Sequence, residues 1–328
     1  MICEFEDKIF SSRGKDFENW ALELFRFQYK NNQVYHDYVD AVHIQPEKVH
    51  TMERIPFLPI RFFKSHAIQT GSFDAELIFE SSGTTGSTPS RHYVKKASLY
   101  KQSFLLAFEK FYGPVSDWCI IGLLPSYLER SNSSLILMTD ELIKLSQHPS
   151  SGFYLKDHEK LHHTLISLET GVQKTLLLGV TFALIDFAVN HPMALRYTTV
   201  METGGMKGRH KELTRGEVHK ILQSAWQLPA IHSEFGMTEL LSQAYSKGDG
   251  RFTCSSLMKV FIRLEDDPFE VSYGGSGAIN IIDLSNIYSC AFIETEDLGI
   301  VHSSGDFEIS GRMDATEARG CSLMLSEV

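Results

Sequence analysis

Ser81-Ser82-Gly83-Thr84-Thr85-Gly86-Ser87-Thr88-Pro89 lies between two segments that read as buried strands, Glu76-Leu77-Ile78-Phe79 before it and Arg91-His92-Tyr93-Val94 after it. Six of the nine residues carry a hydroxyl and two are glycine. Gly83 and Gly86 let successive N–H groups point at one concave site, which is how a loop holds phosphate. The hydroxyls add further donors. A P-loop requires Lys directly after its last glycine, and Ser87 stands there instead. A flexible linker or turn is the other reading of such a run. Nine residues between two strands exceed what a turn needs.

A second segment is His232-Ser233-Glu234-Phe235-Gly236-Met237-Thr238-Glu239. Gly236 permits a tight turn, and Thr238 can donate to a phosphate or carboxylate oxygen. Glu239 can hold magnesium, which takes one or two protein carboxylates when phosphate completes its shell. Phe235 offers a flat apolar surface to a purine. A helix N-terminus with capping Thr and Glu explains the segment equally well. The third segment is Glu296-Asp297-Leu298-Gly299, followed by Gly311-Arg312. An Asp before a Gly turn is a common structural device. The functional alternative is an Asp that accepts from two ribose hydroxyls with an Arg beside it.

Around these segments the chain reads as strands and helices in alternation. Residues 15–43 carry apolar side chains at helical spacing: Phe17, Trp20, Ala21, Leu24, Phe25. Pro46, Pro56 and Pro59 break that pattern, so IPFLPIRFF reads as extended. Residues 95–112 read as an amphipathic helix. DWCIIGLLPS and KTLLLGV read as buried strands, TFALIDFAVN as a helix, RYTTVMETGG as a strand ending in a Gly turn, and 214–227 as a helix. A short strand near 230 precedes SEFGMTE as a loop. From 250 onward short strands alternate with Gly-rich turns. The fold class is α/β, a core of β-sheets flanked by helices with a β-rich C-terminal part.

Composition narrows the function. Hydrophobic residues are 43% and charged residues 22%, as in a globular chain. The formal charge is −10, with no basic run, so nucleic acid is excluded as a partner. The five cysteines, Cys3, Cys119, Cys254, Cys290 and Cys321, include no C-x-x-C pair. Scattered thiols fit a reducing compartment. MICEFEDKIF lacks the charge pattern of a signal peptide. The longest apolar stretch, 175–189, is too short to span a bilayer and contains Asp186. The chain therefore reads as cytoplasmic, without a membrane span.

SSGTTGSTP, FGMTE and TEDLG…GR together resemble the motifs of the adenylate-forming superfamily, in its order and rough spacing. A closer resemblance is to the bacterial acyl-protein synthetases, the LuxE-type synthetase subunit of fatty acid reductase. It rests on IPFLPIRFFKSH, FESSGTTGSTPSRHYV, LLPSYLERSNSSL, METGGMKGRHKEL, HSEFGMTELLSQAY and the terminal RGCSL, and so spans nearly the whole chain. Phenylacetate-CoA-ligase-like enzymes share several of these segments less closely.

The resemblance implies the large N-terminal-type domain of adenylate-forming enzymes, with the mobile C-terminal domain absent. It divides the chain into a helical arm and extended segment (1–75), an adenylate-forming core (76–315) and a tail (316–328) carrying Cys321. It implies ATP and Mg2+ as cofactors. Ser81, Ser82, Gly83, Thr84, Thr85 and Gly86 would cradle the β- and γ-phosphates. Gly204 and Gly205 would wall the adenine, with Phe235 on the ring face. Thr238 would meet the α-phosphate, Glu239 the magnesium and Asp297 the ribose, and Arg312 would support the ribose or the phosphate. The superfamily usually has Lys just after the loop's Pro, but Ser90 stands there. Arg91 is then the expected cation, with Lys207 and Arg209 as alternatives; read from the residues alone, Lys64 in FFKSH either lines the entrance to the site or is a solvated charge. His232 is a supporting group beside the second segment. By resemblance Cys321 carries the acyl group as a thioester, with Arg319 as a local cation. The expected activity is fatty acid activation as an acyl-adenylate and transfer to this cysteine. The acceptor is an acyl-CoA-reductase-like protein or an acyl carrier. Two alternatives stand beside it: a stand-alone acyl-CoA or acyl-carrier-protein ligase, and a nucleotide-binding subunit without catalysis.

Overall fold

The computed structural model describes residues 2–12, 14–81, 88–125, 132–204, 213–264, 267 and 269–313. The expected site residues Ser82, Gly83, Thr84, Thr85, Gly86, Gly205 and Cys321 lie outside these, as do Lys207, Arg209, Arg319 and the tail 316–328. In chain order the strands are β1 (Leu58–Pro59), β2 (Leu77–Glu80), β3 (Arg91–Val94), β4 (Cys119–Leu123), β5 (Gly152–Phe153), β6 (Thr175–Val180), β7 (Thr198–Thr203), β8 (His232–Phe235), β9 (Ala244–Ser246), β10 (Thr253–Cys254), β11 (Met258–Arg263), β12 (Val271–Ser272), β13 (Gly275–Asp283), β14 (Phe292–Val301) and β15 (Phe307–Arg312).

The unbroken apolar runs of β4 and β6 mark strands buried on both faces, the signature of a parallel sheet. They lie inside a seven-stranded sheet of order β10-β9-β8-β7-β6-β4-β5. Strands β5, β4, β6, β7 and β8 are parallel, and β9 and β10 run antiparallel at one edge. Crossovers supply the helices. Thr181–Asn190 joins β6 to β7, and Arg215–Trp226 joins β7 to β8. The second of these starts on a capping box, Thr214 with Glu217, which satisfies two otherwise orphaned N–H groups.

Helices Ala97–Tyr112 and Ser134–Ser146 close one apolar layer around Phe104, Phe108, Ile120 and Leu178. His158–Thr170, Thr181–Asn190 and Arg215–Trp226 close another around Leu177, Phe187 and Trp226. Thr181–Asn190 is thus a core-covering helix: Ala183, Leu184, Phe187 and Ala188 are buried.

The β-rich C-terminal part forms a sheet of order β1-β14-β13-β11-β12, with β15 added beside β14. Helices Phe17–Asn31 and Gln33–Ala41 belong to its core, where Phe25, Tyr35, Phe57 and Phe292 meet edge to face or stacked. Two expectations need correction. IPFLPIRFF is extended only briefly: β1 is two residues long, and Phe62–Ser65 is a helical turn. SEFGMTE is not all loop, because Ser233, Glu234 and Phe235 belong to β8.

Candidate functional site

The site is built where the parallel strands end, the edge at which an α/β sheet offers its loops to ligands. β7 runs into Gly204, whose φ of 75° suits glycine, and whose carbonyl accepts from Thr181 Oγ1 at 2.9 Å. β8 runs into Gly236. A Cβ added there would meet Glu234 Oε1 at 2.4 Å, so any side chain would have to displace the Glu234 carboxyl. Phe235, the last residue of β8, packs edge-on against Phe307 with ring centroids 5.3 Å apart.

Beyond Gly236 the chain turns through Thr238 and Glu239. Glu239 is only 5% exposed. Burial raises its pKa, and a hydrogen bond with Ser90 and the charges of Arg312 and Lys64 oppose the rise. A buried carboxylate whose charge is partly offset by two cations is suited to a charged ligand.

Ser81 and Ser90 close the neck of the hydroxyl-rich run. Ser81 N donates to the Ser90 carbonyl at 3.1 Å, and Ser90 N donates to Ser81 Oγ at 2.9 Å. The neck therefore delivers Ser90 to Glu239. Arg91 is placed differently from its expected role as the cation. Alternation along β3 sends it to the opposite face, where it is largely exposed and pairs with Glu80 at 3.1 Å. The cations whose charge acts on Glu239 are Arg312 and Lys64.

Asp297 and Arg312 stand opposite each other on β14 and β15, and Arg312 Nε donates to Asp297 Oδ1 at 3.1 Å. The expectation of a turn at Asp297 needs correction, because Glu296-Asp297-Leu298-Gly299 lies within β14, beside a register shift between Leu298 and Gly299. Through Arg312 this pair joins Glu239 and Ser90. The structure thus gathers Ser90, Glu239, Lys64, Arg312 and Asp297, with Thr238 beside Glu239 in the same turn. His232 lies at the far end of β8 and faces the Tyr112 hydroxyl at 3.1 Å. An open depression of ≈ 390 Å³ near the β9–β10 turn, lined by Tyr245, Lys247 and Arg251 among others, shares no residue with this group.

Sequence reading missed the groups that hold the turn and a buried carboxyl behind it. Glu234 accepts from the Thr203 hydroxyl, and burial pushes its carboxyl up to about 7, with Glu202 adding to the rise. Folded Glu234 keeps its proton to about pH 7, whereas the unfolded group releases it near 4.5. Its contribution to stability is full below the lower value and is lost as pH rises through the upper one. Glu234→Gln is therefore expected to stabilise the fold at pH 8 by about 2–3 kcal/mol and by little at pH 4.5. Denaturant midpoints of the two proteins at both pH values measure this. Equal midpoints at pH 8 would mean that the buried carboxylate is compensated in its charged form.

The comparisons with known proteins bear on the family and the fold. The family profile described as acyl-protein synthetase, LuxE, matches residues 8–328. The long-chain-fatty-acid–luciferin-component ligase of Aliivibrio fischeri is 23% identical over 362 aligned positions, covering 99% of this chain and 94% of that protein. Among solved structures, ATP-bound MatB from Rhodopseudomonas palustris superposes with a TM-score of 0.55 at 16% identity, over 74% of this chain and 49% of that one. The O-succinylbenzoate coenzyme A synthetase MenE from Bacillus subtilis, in complex with ATP and magnesium, gives 0.52 at 14% identity, over 74% and 51%. This chain spans about half the length of those structures, and at such identities the likeness is one of fold. Among the described residues no helix is long and apolar enough to cross a membrane.

Proposed function

Because this chain belongs to the LuxE acyl-protein synthetase family, a family of acid–thiol ligases, we propose that it activates a long-chain fatty acid with ATP and carries the acyl group on Cys321. The observation that supports this reading best is the niche around Glu239, where the neck of the hydroxyl-rich loop, the Thr238–Glu239 turn and the Asp297–Arg312 pair meet.

A carboxylate is a poor electrophile because its own charge repels a nucleophile. In the first step one of its oxygens attacks the α-phosphorus of ATP. The new O–P bond forms as the bond to the β-phosphate bridge breaks, and pyrophosphate leaves with the electron pair. Ser81 to Gly86 hold the β- and γ-phosphates, and Thr238 donates to the α-phosphate. Asp297 takes the ribose hydroxyls, Gly204 and Gly205 wall the adenine, and Phe235 faces it. Lys64 and Arg312 stabilise the charge that shifts onto the phosphate oxygens. Their positions favour them over Arg91 for this task.

The residues fit magnesium. Glu239 supplies one buried carboxylate, the sparse protein share this ion takes when phosphate completes its shell. Bound there, magnesium neutralises phosphate charge. In the second step the Cys321 thiolate attacks the acyl carbonyl carbon. The C–S bond forms, the acyl C–O bond to phosphate breaks, and AMP leaves. A reductase or acyl carrier then accepts the thioester.

The test is exchange of labelled pyrophosphate into ATP over a panel of saturated fatty acids. Exchange that requires the acid supports the reading, and acid-independent ATP hydrolysis with no exchange overturns it. Cys321→Ser is expected to keep at least half of the exchange and to lose hydroxylamine-sensitive acyl labelling, read by intact-protein mass spectrometry. Labelling that survives would move the thioester to another residue. Acyl-CoA formed on adding coenzyme A, without any acyl-protein, would favour a ligase that takes its thiol in trans.

A further inference from the structure

The backbone of the Thr238–Glu239 turn is gripped by side chains from outside its own segment. His92 Nδ1 lies 2.9 Å from the Thr238 carbonyl oxygen. A carbonyl only accepts, so Nδ1 carries the proton and donates. Asn286 Nδ2 donates to the Glu239 carbonyl at 2.7 Å. Behind the turn, Asp283 Oδ2 accepts from Leu241 N at 2.8 Å and from Ser242 N at 2.9 Å.

His92 is 1% exposed, and its ring stands between Phe63 and Phe79, with centroids 6.0 and 6.3 Å away, both edge to face. Phe63 precedes Lys64. Ser90, two residues before His92, projects to the same side of the chain and reaches the Glu239 side chain. One short stretch, Ser90 to His92, thus ends the hydroxyl-rich loop, touches the Glu239 carboxylate and holds the Thr238 carbonyl. Burial keeps the imidazole neutral, pushing its pKa down to about 4, so the donated proton is that of one fixed tautomer.

We propose that His92 is a positioning residue for adenylation: through its Nδ1–H on the Thr238 carbonyl it sets the Thr238–Glu239 turn in register with the phosphate-holding loop that ends at Ser90. The inference rests on the adenylation reading above and deepens it. Thr238 and Glu239 act on the transferring phosphoryl group, whereas His92 touches no substrate. Its loss leaves every reacting group in place but misaligned. A misplacement of about 1 Å far from the chemistry costs on the order of 10²-fold in rate. Such a loss falls on kcat more than on ATP binding, because no group assigned to ATP is removed.

The side-chain amide nitrogen of Asn falls near the position of imidazole Nδ1, and that of Gln near Nε2. His92→Asn keeps a donor at the Thr238 carbonyl, His92→Gln moves it away, and His92→Phe removes it. Fatty-acid-dependent pyrophosphate exchange is measured for all three in the full-length protein, with kcat, the KM for ATP and the melting temperature. His92→Gln and His92→Phe are expected to lose about 10²-fold in kcat with little change in KM, and His92→Asn is expected to recover most of it. Should His92→Phe fail to fold, the Asn and Gln variants alone decide. Equal kcat in that pair, or losses confined to KM or matching the unfolded fraction, overturns the inference. Wild-type protein without exchange overturns the adenylation reading and this inference with it. Exchange in wild type and undiminished exchange in His92→Phe overturns this inference alone.

Discussion

Glu239→Gln is expected to abolish fatty-acid-dependent pyrophosphate exchange while raising the melting temperature. The two effects share one cause. Glu239 is buried, and burial raises its pKa despite the Ser90 hydrogen bond and the nearby Arg312 and Lys64. The charged form is therefore held at a cost. A group with a raised folded pKa contributes most at low pH and loses that contribution as pH rises through the folded value. At pH 8 the neutral isostere is favoured, and glutamine still reaches Ser90. Exchange, by contrast, needs the negative charge. Removing a group that organises charge on a transferring phosphoryl costs about 10²–10³-fold in kcat. A functional residue that weakens the resting fold is the expected pattern where a site is built for a ligand it does not yet hold. Thermal melts at pH 8 and exchange rates on the same samples test both halves. Full exchange in the variant would remove Glu239 from the chemistry. A lower melting temperature would mean that the carboxylate is needed by the fold itself.

The sequence is most legible where the physical signal is local. The apolar runs Cys119–Leu123 and Thr175–Val180 could only be buried strands, and the helical spacing of Phe17, Ala21, Leu24 and Phe25 appears as the buried face of Phe17–Asn31. The site is legible as types of residue and less so as neighbours. Arg91 and Ser90 are adjacent, and only the facing of β3 decides that Ser90 meets Glu239 while Arg91 pairs with Glu80. Strand parity cannot be oriented until the partner strand is known. Gly236 stands out in the sequence as a turn glycine, but its constraint is a different one: the Glu234 carboxyl, folded back against the backbone two residues on. Asp297 reads as a turn residue because Gly299 follows closely, yet that glycine serves a tight strand crossing, where a Cβ would meet Glu308 O at 2.1 Å. His92 gives no signal, because its partner lies 146 residues away.

Asp283→Ala is expected to destabilise the protein severely, for a reason that concerns the turn as much as the core. Asp283 ends β13 and is fully buried. It accepts from Leu241 N, Ser242 N and Ser242 Oγ, and from Ser285 N at 3.0 Å. Alanine leaves three backbone N–H groups buried without an acceptor. The Ser242 hydroxyl is spared, because it also lies 3.0 Å from both Ser103 Oγ and Ser285 Oγ. Opposing this, alanine relieves the desolvation that raises the Asp283 pKa. Each orphaned donor costs about 1–3 kcal/mol, so three outweigh that relief. The net loss is about 3–5 kcal/mol, as when a buried charge's partners are stranded, and it lowers the melting temperature by about 4–7 °C. Because the folded pKa is raised, wild type loses part of its advantage as pH rises, so the penalty is smaller at pH 7 than at pH 4. Leu241 and Ser242 follow Glu239 directly. Their release is therefore expected to lower exchange further than the unfolded fraction accounts for, as measured on the fully folded variant at low temperature. If exchange per folded molecule instead equals that of wild type, Asp283 supports the sheet alone, and the turn keeps its geometry through His92 and Asn286.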